Sequence, residues 1–370
     1  MNCAHFEAWR CRSCGELAQP YERQLAAKQA RAQTLLWMID PAAWLPSCPS
    51  PEHGFRNKAK MAIGGSTIKP TLGLLDAAGH GVDLGDCALY PPGLAAVFEA
   101  VRTALVAARV PPYELASRRG EGKYVLLTQV PGSDDLLLRF VLRSREALSR
   151  LRAQLPVLRT QLPALRVASV NLLPEHKAVT EGAIEILLTD ESEVHGRWGD
   201  VAFRLTPRSF LQTNTPVATA LYAQARDWIA RAAPARAWDL YCGVGAFALH
   251  AAAEGIAVTG VESTPEAIAA ARAAHPAGDW IVADAAAWAC AQPRAAELVI
   301  VNPPRRGVGA VLAEWLQRHG GRWLLYCSCH PQSLARDLAA LPAYSARRAR
   351  VFDMFPHTTH FETLLWLERD

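Results

Sequence analysis

The feature that most constrains the fold is a regular alternation of helices and strands after about residue 205. Parallel strands need crossover connections, and these are usually helices, so the alternation is typical of a doubly wound, mainly parallel sheet. We therefore expect a Rossmann-like α/β domain over residues 196–370. Helices are predicted at 216–232, 246–254 and 265–274, and strands at 236–240, 257–262, 297–301 and 322–327.

The first half of the chain has a different pattern. Residues 21–40 alternate apolar and charged positions without Gly or Pro, which predicts one long amphipathic helix that could pack on the second domain. From about 52 to 195, short β-rich runs alternate with turns, and helices are predicted at 93–108 and 146–155. We expect residues 1–195 to form an α+β region. A separate domain here agrees with the length of 370 residues, which favours at least two domains.

The N-terminal sequence and the cysteines bear on location. MNCAHFEAWRCRSC lacks the basic start and apolar stretch of a secretory signal, and charged residues interrupt every apolar run before it could span a membrane. We therefore expect a cytoplasmic protein. In a reducing compartment its nine cysteines serve better as ligands, nucleophiles or buried side chains than as disulfides.

The net charge is only +4, but its distribution is uneven. Basic residues cluster at 55–60, 118–123 and 139–143, and such clusters fit the phosphates of a nucleic acid. Ordinary solvated strands and turns explain the same clusters equally well. Charge alone therefore leaves the partner open.

The segment WDLYCGVGAF (238–247) places a glycine turn between a strand and a helix, where the backbone can approach a ligand. Glu262 ends the next strand, where a carboxylate can bind both hydroxyls of a ribose. A dinucleotide site would have a third glycine, but Ala248 and Leu249 stand there. The pattern favours S-adenosylmethionine over NAD, with a turn that serves only packing as the alternative.

A second strand end carries Asn302-Pro303-Pro304-Arg305 beside the expected ligand crevice. Amino-group methylases of DNA have an aromatic residue after Asn-Pro-Pro, which stacks on the target base. Because Arg305 occupies that place, the sequence argues against an exocyclic amine as the target.

The strand at 322–327 runs into Cys327-Ser328-Cys329-His330, which brings thiols to the same sheet edge. A thiolate that adds to C6 of uracil turns C5 into a nucleophilic carbon, and a base must later remove the C5 proton. The segment 353–362 offers Glu362 as first choice for that base, while His357 and His360 could be structural or bind metal. From the residues alone, the choice between the two cysteines stays open, and a strand-end cysteine is often only a small buried side chain.

Six motifs together resemble the RNA uracil-C5 methyltransferase family over essentially the whole chain. They are GFRNKAKM (54–61), SFLQTN (209–214), DLYCGVGAF (239–247), VNPPRRG (301–307), YCSC (326–329) and FDMFPHTTHFE (352–362). Within the family, the short N-terminus is most similar to members that methylate uridine 747 of 23S ribosomal RNA. The resemblance implies no N-terminal TRAM-type β-barrel.

The resemblance also implies roles for individual residues. It makes Cys329 the nucleophile and Glu362 the base. Gln212, Tyr241, Glu262 and Asn302 match positions that bind S-adenosylmethionine. The spacing of Cys3, Cys11 and Cys14 alone leaves zinc and an iron–sulfur cluster equally open, whereas the resemblance adds a remote fourth ligand, Cys87, and favours a [4Fe-4S] cluster.

Two other interpretations of the protein's function are compatible with the sequence. The chain could methylate a uridine at another ribosomal site or in transfer RNA, or it could be a non-catalytic RNA-binding protein that keeps a cofactor fold. In the catalytic reading the target uridine must be flipped out or lie in a loop, because a stacked uracil cannot present C6 to a thiol. No obligate protein partner and no membrane are expected.

Overall fold

The computed structural model describes residues 1–176 and 179–370. The chain forms two compact units, residues 1–14 with 52–195 and residues 15–51 with 196–370. The short helix α1 (Ala4–Glu7) belongs to the first unit, and helix α2 (Tyr21–Leu35) belongs to the second. The segment 15–51 is thus part of the same unit as the C-terminal half of the chain.

Helix α2 is shorter than the predicted 21–40. It ends at Leu35 because the chain then turns Leu36 and Ile39 into the core, where they are 0% and 4% exposed. Trp37 stays 79% exposed. Burial of Leu36 and Ile39 beyond the end of α2 has therefore overridden the helical pattern.

The first unit is built on one seven-stranded sheet in the order β3-β2-β1-β4-β5-β6-β7. All neighbouring strands are antiparallel except β5 and β6, which are parallel and joined by a helix. Helices α3 and α4 contribute Phe98, Val101 and Leu151 to the core of this unit. The bounds are β1 Lys58–Ser66, β2 Lys69–Leu75, β3 Gly81–Asp83, α3 Leu94–Ala107, β4 Gly122–Gln129, β5 Leu136–Leu142, α4 Leu148–Gln161, β6 Leu165–Leu172 and β7 Ile184–Leu187.

Helix α4 continues past the predicted end at residue 155. Pro156 lies inside it, although proline removes a helical hydrogen bond. Pro156 is exposed, so water can satisfy the carbonyl that loses its partner, while Leu151 and Leu158 anchor the helix in the core.

Both arginines of the basic cluster at 139–143 form ion pairs within the protein. Arg139 is 1% exposed and forms ion pairs with Glu181 and Glu185. Arg143 pairs with Glu121 at 2.9 Å. The expectation that this cluster binds phosphates is wrong for Arg139, because β5 is an interior strand whose seven residues are all buried.

The second unit has its own seven-stranded sheet in the order β12-β11-β10-β13-β14-β16-β15. Strands β10 to β14 are parallel, and only the last two strands of the chain run against their neighbours. The predicted Rossmann-like sheet is confirmed. The bounds are β8 Val194–Trp198, β9 Val201–Leu205, α5 Thr215–Ala232, β10 Arg236–Leu240, α6 Ala246–Ala252, β11 Ala257–Glu262, α7 Pro265–Ala274, β12 Asp279–Val282, α8 Ala285–Cys290, β13 Leu298–Val301, α9 Gly309–His319, β14 Trp323–Ser328, α10 Pro331–Ala339, β15 Tyr344–Phe352 and β16 Glu362–Arg369.

Strands β8 and β9 form a separate two-stranded ribbon at the start of this half. Within the described part of the chain, no helix combines the length and apolar character that a membrane crossing requires.

Candidate active site

The carboxyl ends of the parallel strands of the second unit open onto a cavity of about 600 Å³. Such a crevice is where open α/β sheets bind their ligands. Six residues singled out in the sequence line it together, namely Gln212, Tyr241, Glu262, Asn302, Cys329 and Glu362. A larger cavity of about 720 Å³ in the same unit is lined by none of the six. The chemistry of the side chains therefore identifies the smaller cavity as the candidate site.

The glycine turn after β10 has two different functions. Gly243 has a φ of +55° and nothing within 4 Å of the position a Cβ would take, so its backbone is open to the cavity. Gly245 has a φ of +86°, and a Cβ there would lie 2.8 Å from the ring of Trp280. The turn thus serves ligand access at Gly243 and close packing at Gly245.

Two acidic side chains lie at successive strand ends. The Oε1 atom of Glu262 accepts hydrogen bonds from the Thr264 amide and the Ser263 hydroxyl, both at 2.9 Å, which orient the carboxylate. Asp284 follows β12, lines the same cavity and accepts a hydrogen bond from the Ala287 amide at 2.8 Å. The sequence reasoning missed Asp284, although its position after a strand is the signal that pointed to Glu262.

The two cysteines at the end of β14 have different surroundings. Cys327 is completely buried, and burial raises the pKa of its thiol well above the usual range. Cys329 lines the cavity. Burial also raises the pKa of Cys329, but the nearby Arg305 guanidinium acts in the opposite direction through its charge and a hydrogen bond. Of the two thiols, that of Cys329 is therefore the one placed to meet a ligand.

Arg305 has a larger part in this arrangement than the sequence reasoning gave it. Its side chain lines the cavity and is exposed, and its charge stabilises the thiolate of Cys329 and the carboxylate of Glu362. A cation beside a thiol is a recurrent means of making cysteine reactive. The proline pair before Arg305 gave no signal of this contact.

Glu362 lies at the first position of β16 and is 3% exposed. Burial raises the pKa of its carboxyl to about 7, while a hydrogen bond from Gln212 and the charge of Arg305 favour the ionised form. A carboxyl that titrates near neutral pH is suited to general base catalysis.

The two histidines of the same segment are separated. His360 lines the cavity, and burial together with the charges of Arg305 and Arg31 lowers the pKa of its imidazole. His357 is buried away from the cavity lining, and its backbone amide donates to the side chain of Gln24. Of the two, only His360 is therefore placed to contact a ligand.

Comparison with known proteins gives full-length relatives. The chain is 45% identical over 372 residues to 23S rRNA (uracil(747)-C(5))-methyltransferase RlmC of Escherichia coli (strain SMS-3-5 / SECEC), with 99% of each chain covered. The chain belongs to the RNA uracil-C5 methyltransferase family. RlmC of Cronobacter sakazakii (strain ATCC BAA-894) is also 45% identical, over 376 residues and 100% of each chain. Residues 292–370 match the family described as tRNA (Uracil-5-)-methyltransferase. The membership indicated by the six motifs is confirmed.

A solved structure of a distant methyltransferase shares the fold. The tRNA (uracil-54, C5)-methyltransferase of Pyrococcus abyssi, determined in complex with S-adenosyl-L-homocysteine, matches with a TM-score of 0.81 and 24% sequence identity. The match covers 96% of this chain and 84% of that one. At this identity the likeness concerns the fold, which confirms the S-adenosylmethionine-dependent methyltransferase architecture.

The four cysteines that the family resemblance singled out all lie in the first unit. Burial, together with the charges of Cys87, Cys11 and Cys3, raises the pKa of the Cys14 thiol to about 11, so these three sulfurs lie within electrostatic range of Cys14. A hydrogen bond of 2.6 Å between the side chains of His5 and Asp86 joins α1 to the loop of Cys87.

The four thiols are a donor set that both iron–sulfur clusters and zinc accept. Among residues 1–176 and 179–370, no three His, Cys, Asp or Glu side chains are placed to bind one metal ion. Cys3, Cys11, Cys14 and Cys87 are all free thiols, and each is partly buried.

Proposed function

We propose that this chain transfers a methyl group from S-adenosylmethionine to C5 of uridine 747 in 23S ribosomal RNA. Full-length identity of 45% to RlmC proteins supports the substrate. The observation that carries the mechanism is that Cys329 and Glu362 line one cavity together with Gln212, Tyr241, Glu262 and Asn302.

Residues at the strand ends hold the methyl donor in this proposal. Glu262 accepts hydrogen bonds from the ribose hydroxyls, with its carboxylate already oriented by the Thr264 amide. Tyr241, Asn302 and Gln212 complete the contacts around the open backbone of Gly243. When bound, S-adenosylmethionine supplies a sulfonium methyl group as the electrophile.

Cys329 makes uracil reactive. Its thiolate adds to C6, so a carbon–sulfur bond forms while the π electrons of the C5–C6 bond move to C5 and the adjacent carbonyl. Arg305 favours the thiolate form of Cys329 by its positive charge. The nucleophilic C5 carbon then bonds to the methyl carbon, and the electron pair of the broken bond stays on the donor sulfur.

Glu362 completes the reaction. After methylation C5 carries both the methyl group and its original proton. The carboxylate of Glu362 takes that proton, the C5–C6 double bond re-forms and the thiolate of Cys329 leaves. The protonated Glu362 then returns its proton to solvent, and both residues regain their starting state.

The RNA must present an unstacked uridine to the cavity. The cations of the first unit that remain exposed are better suited to hold phosphates than the buried Arg139. They include Lys60, Arg118 and Arg119.

Cys3, Cys11, Cys14 and Cys87 hold a [4Fe-4S] cluster in this proposal. Their thiolates are the ligands that such clusters require. Methyl transfer through a thiolate adduct needs no electron, so the cluster shapes the first unit rather than taking part in the chemistry.

The proposal is tested with protein purified anaerobically, labelled S-adenosylmethionine and a 23S rRNA fragment that contains uridine 747. We expect one methyl group per fragment, mapped to C5 of that uridine by mass spectrometry, and none on a fragment with cytidine in its place. Transfer RNA and fragments around other ribosomal uridines serve as competitors. Methylation of one of these in preference to uridine 747 would overturn the assigned substrate.

A further inference from the structure

Helix α2 buries a polar face. Its buried residues are Gln24, Lys28 and Ala32, and the two polar side chains are each only 3% exposed. Lysine and glutamine are mostly found at the surface, so burial of both on one helix requires specific partners. Lys28 has its partners in the segment 353–360, more than three hundred residues later in the chain, and Gln24 bonds both to that segment and to the carbonyls of Glu16 and Gln19.

Lys28 holds the beginning of this segment. Its Nζ atom donates to Oδ1 of Asp353 at 2.5 Å and to the carbonyl of Phe355 at 2.9 Å. The hydroxyl of Tyr21, one helix turn away from Gln24, donates to Oδ2 of Asp353 at 2.8 Å. With side-chain exposures of 4% and 0%, Lys28 and Asp353 form an almost fully dehydrated ion pair.

Gln24 holds the middle of the segment. Its Oε1 atom accepts from the amide of His357 at 2.9 Å, and the carbonyl of His357 accepts from the amide of Glu16 at 2.9 Å. His357 has a φ of +64°, a left-handed conformation that is unfavourable for residues other than glycine. Such a conformation persists only where the surroundings impose it. The hydrogen bonds that His357 makes with Gln24 and Glu16 supply that constraint.

The segment leads directly to the reacting groups. Phe355 and His360 line the cavity, and Glu362 follows two residues after His360. We infer that a shift of the backbone between Asp353 and His360 is transmitted along the chain to the carboxylate of Glu362. A displacement of about 1 Å at a reacting group can cost about a hundredfold in rate.

We propose that Lys28 and Gln24 are positioning residues for the base Glu362, and that helix α2 acts on proton removal by fixing the segment 353–360. This inference rests on the proposed role of Glu362. A buried ion pair is a poor source of stability, since apolar residues of similar volume often replace it without loss. The need to hold the segment 353–360 in one conformation explains the buried lysine better than a gain in stability does.

The test compares Lys28→Met, the double variant Lys28→Met/Asp353→Leu and Gln24→Met with the control Gln29→Leu. The control removes a side chain on the same helix that accepts a hydrogen bond from the hydroxyl of Ser47. The double variant leaves no unpaired buried charge, and Gln24→Met changes no charge, so these two keep the test valid if the single lysine variant fails to fold.

The measurements are melting temperature, affinity for S-adenosylhomocysteine, kcat and the separate rates of adduct formation and adduct release on RNA. We expect the Gln24 and Lys28 variants to lower kcat by about tenfold to a hundredfold, mainly through slow release, so that covalent protein–RNA adduct accumulates. Affinity for S-adenosylhomocysteine should stay unchanged, and the control should behave as wild type in every measurement.

Two results would overturn the inference, and they are distinguishable. If the double variant and Gln24→Met fold and release the adduct at the wild-type rate, α2 does not position the base. If Glu362→Gln itself releases the adduct at the wild-type rate, the proposed role of Glu362 is wrong and the inference falls with it.

Discussion

The thiol of Cys327 lies 3.8 Å from the Oε2 atom of Glu362 and is completely buried, although Cys329 is only two residues away and lines the cavity. The contact makes Cys327 part of the wall behind the carboxylate. The two neighbouring cysteines are not interchangeable, because Cys327 lies within β14 whereas Cys329 lies one residue beyond its end.

Replacement of Cys327 by serine should preserve chemistry. We expect Cys327→Ser to lower the melting temperature, because a hydroxyl replaces a thiol in a buried position, and to retain adduct formation on RNA. Cys329→Ser should fold normally and lose at least about a hundredfold in methylation. Loss of adduct formation in folded Cys327→Ser would mean that the assignment of the two thiols is reversed.

Glu362→Gln should separate the two halves of the reaction. Because burial places the pKa of Glu362 at about 7, the wild-type rate of adduct release should rise with pH through that value. The amide cannot accept the C5 proton, so release should fall by about a hundredfold or more and lose this pH dependence. Quenched-flow gels of the protein–RNA adduct between pH 6 and 9 measure both effects. A wild-type release rate that does not change with pH would contradict the assignment.

Glu362→Gln should also change the free energy of unfolding, by an amount that depends on pH. The pKa of Glu362 is about 7 in the folded protein and near 4.5 when exposed, so the folded state binds the proton more tightly. This stabilisation is complete below about pH 4.5 and is lost as the pH rises through 7. Glu362→Gln should therefore be more stable than wild type at pH 8, by on the order of 1–3 kcal/mol, with the difference shrinking toward pH 5. Denaturant titrations at several pH values measure the free energy of unfolding and check the sign of this difference. Glu314→Gln, at an exposed glutamate, is the control.

Glu262→Ala should weaken binding of the methyl donor. Loss of a carboxylate that accepts hydrogen bonds from a ribose should raise the Kd for S-adenosylhomocysteine by about tenfold or more. Titration calorimetry measures the Kd, and Glu266→Ala on the first turn of α7 is the matched control. An unchanged Kd in Glu262→Ala would place the ribose elsewhere in the cavity.

Substitution in the cysteine group tests the cluster. Anaerobically purified wild-type protein should be brown and contain four iron atoms, as expected of [4Fe-4S]. Cys87→Ser should lose colour and iron, whereas the control Cys290→Ser in the second unit should keep both. Stoichiometric zinc without iron in the wild type would exclude the cluster.

The sequence predicted the sheet of the second unit because its helices and strands alternate with clear periods, and it predicted the cavity because parallel strands deliver their last residues to one edge. Asp284 was missed although it follows the same rule as Glu262. The contact of Arg305 with Cys329 could not be predicted, since it depends on how the Asn302–Arg305 turn packs against the next strand end.

The other differences between the sequence predictions and the structure come from contacts between residues far apart in the sequence. Arg139 was grouped with surface cations, but ion pairs with Glu181 and Glu185 bury it in the sheet. Lys28 looked like an ordinary charged position of an amphipathic helix, yet its partner Asp353 is 325 residues away. Helical periodicity reports which residues share a face, but not what that face contacts.

The proposed mechanism depends on covalent catalysis by Cys329 on a uridine of 23S rRNA. It is tested most directly by incubating the protein and S-adenosylmethionine with an RNA fragment that carries 5-fluorouridine at position 747, where fluorine cannot be removed as a proton and the adduct is trapped. We predict a stable protein–RNA complex whose digestion gives a methylated nucleotide bound to Cys329, and no complex with Cys329→Ala. An adduct on Cys327, or no adduct with folded and cofactor-bound wild-type protein, would contradict the account.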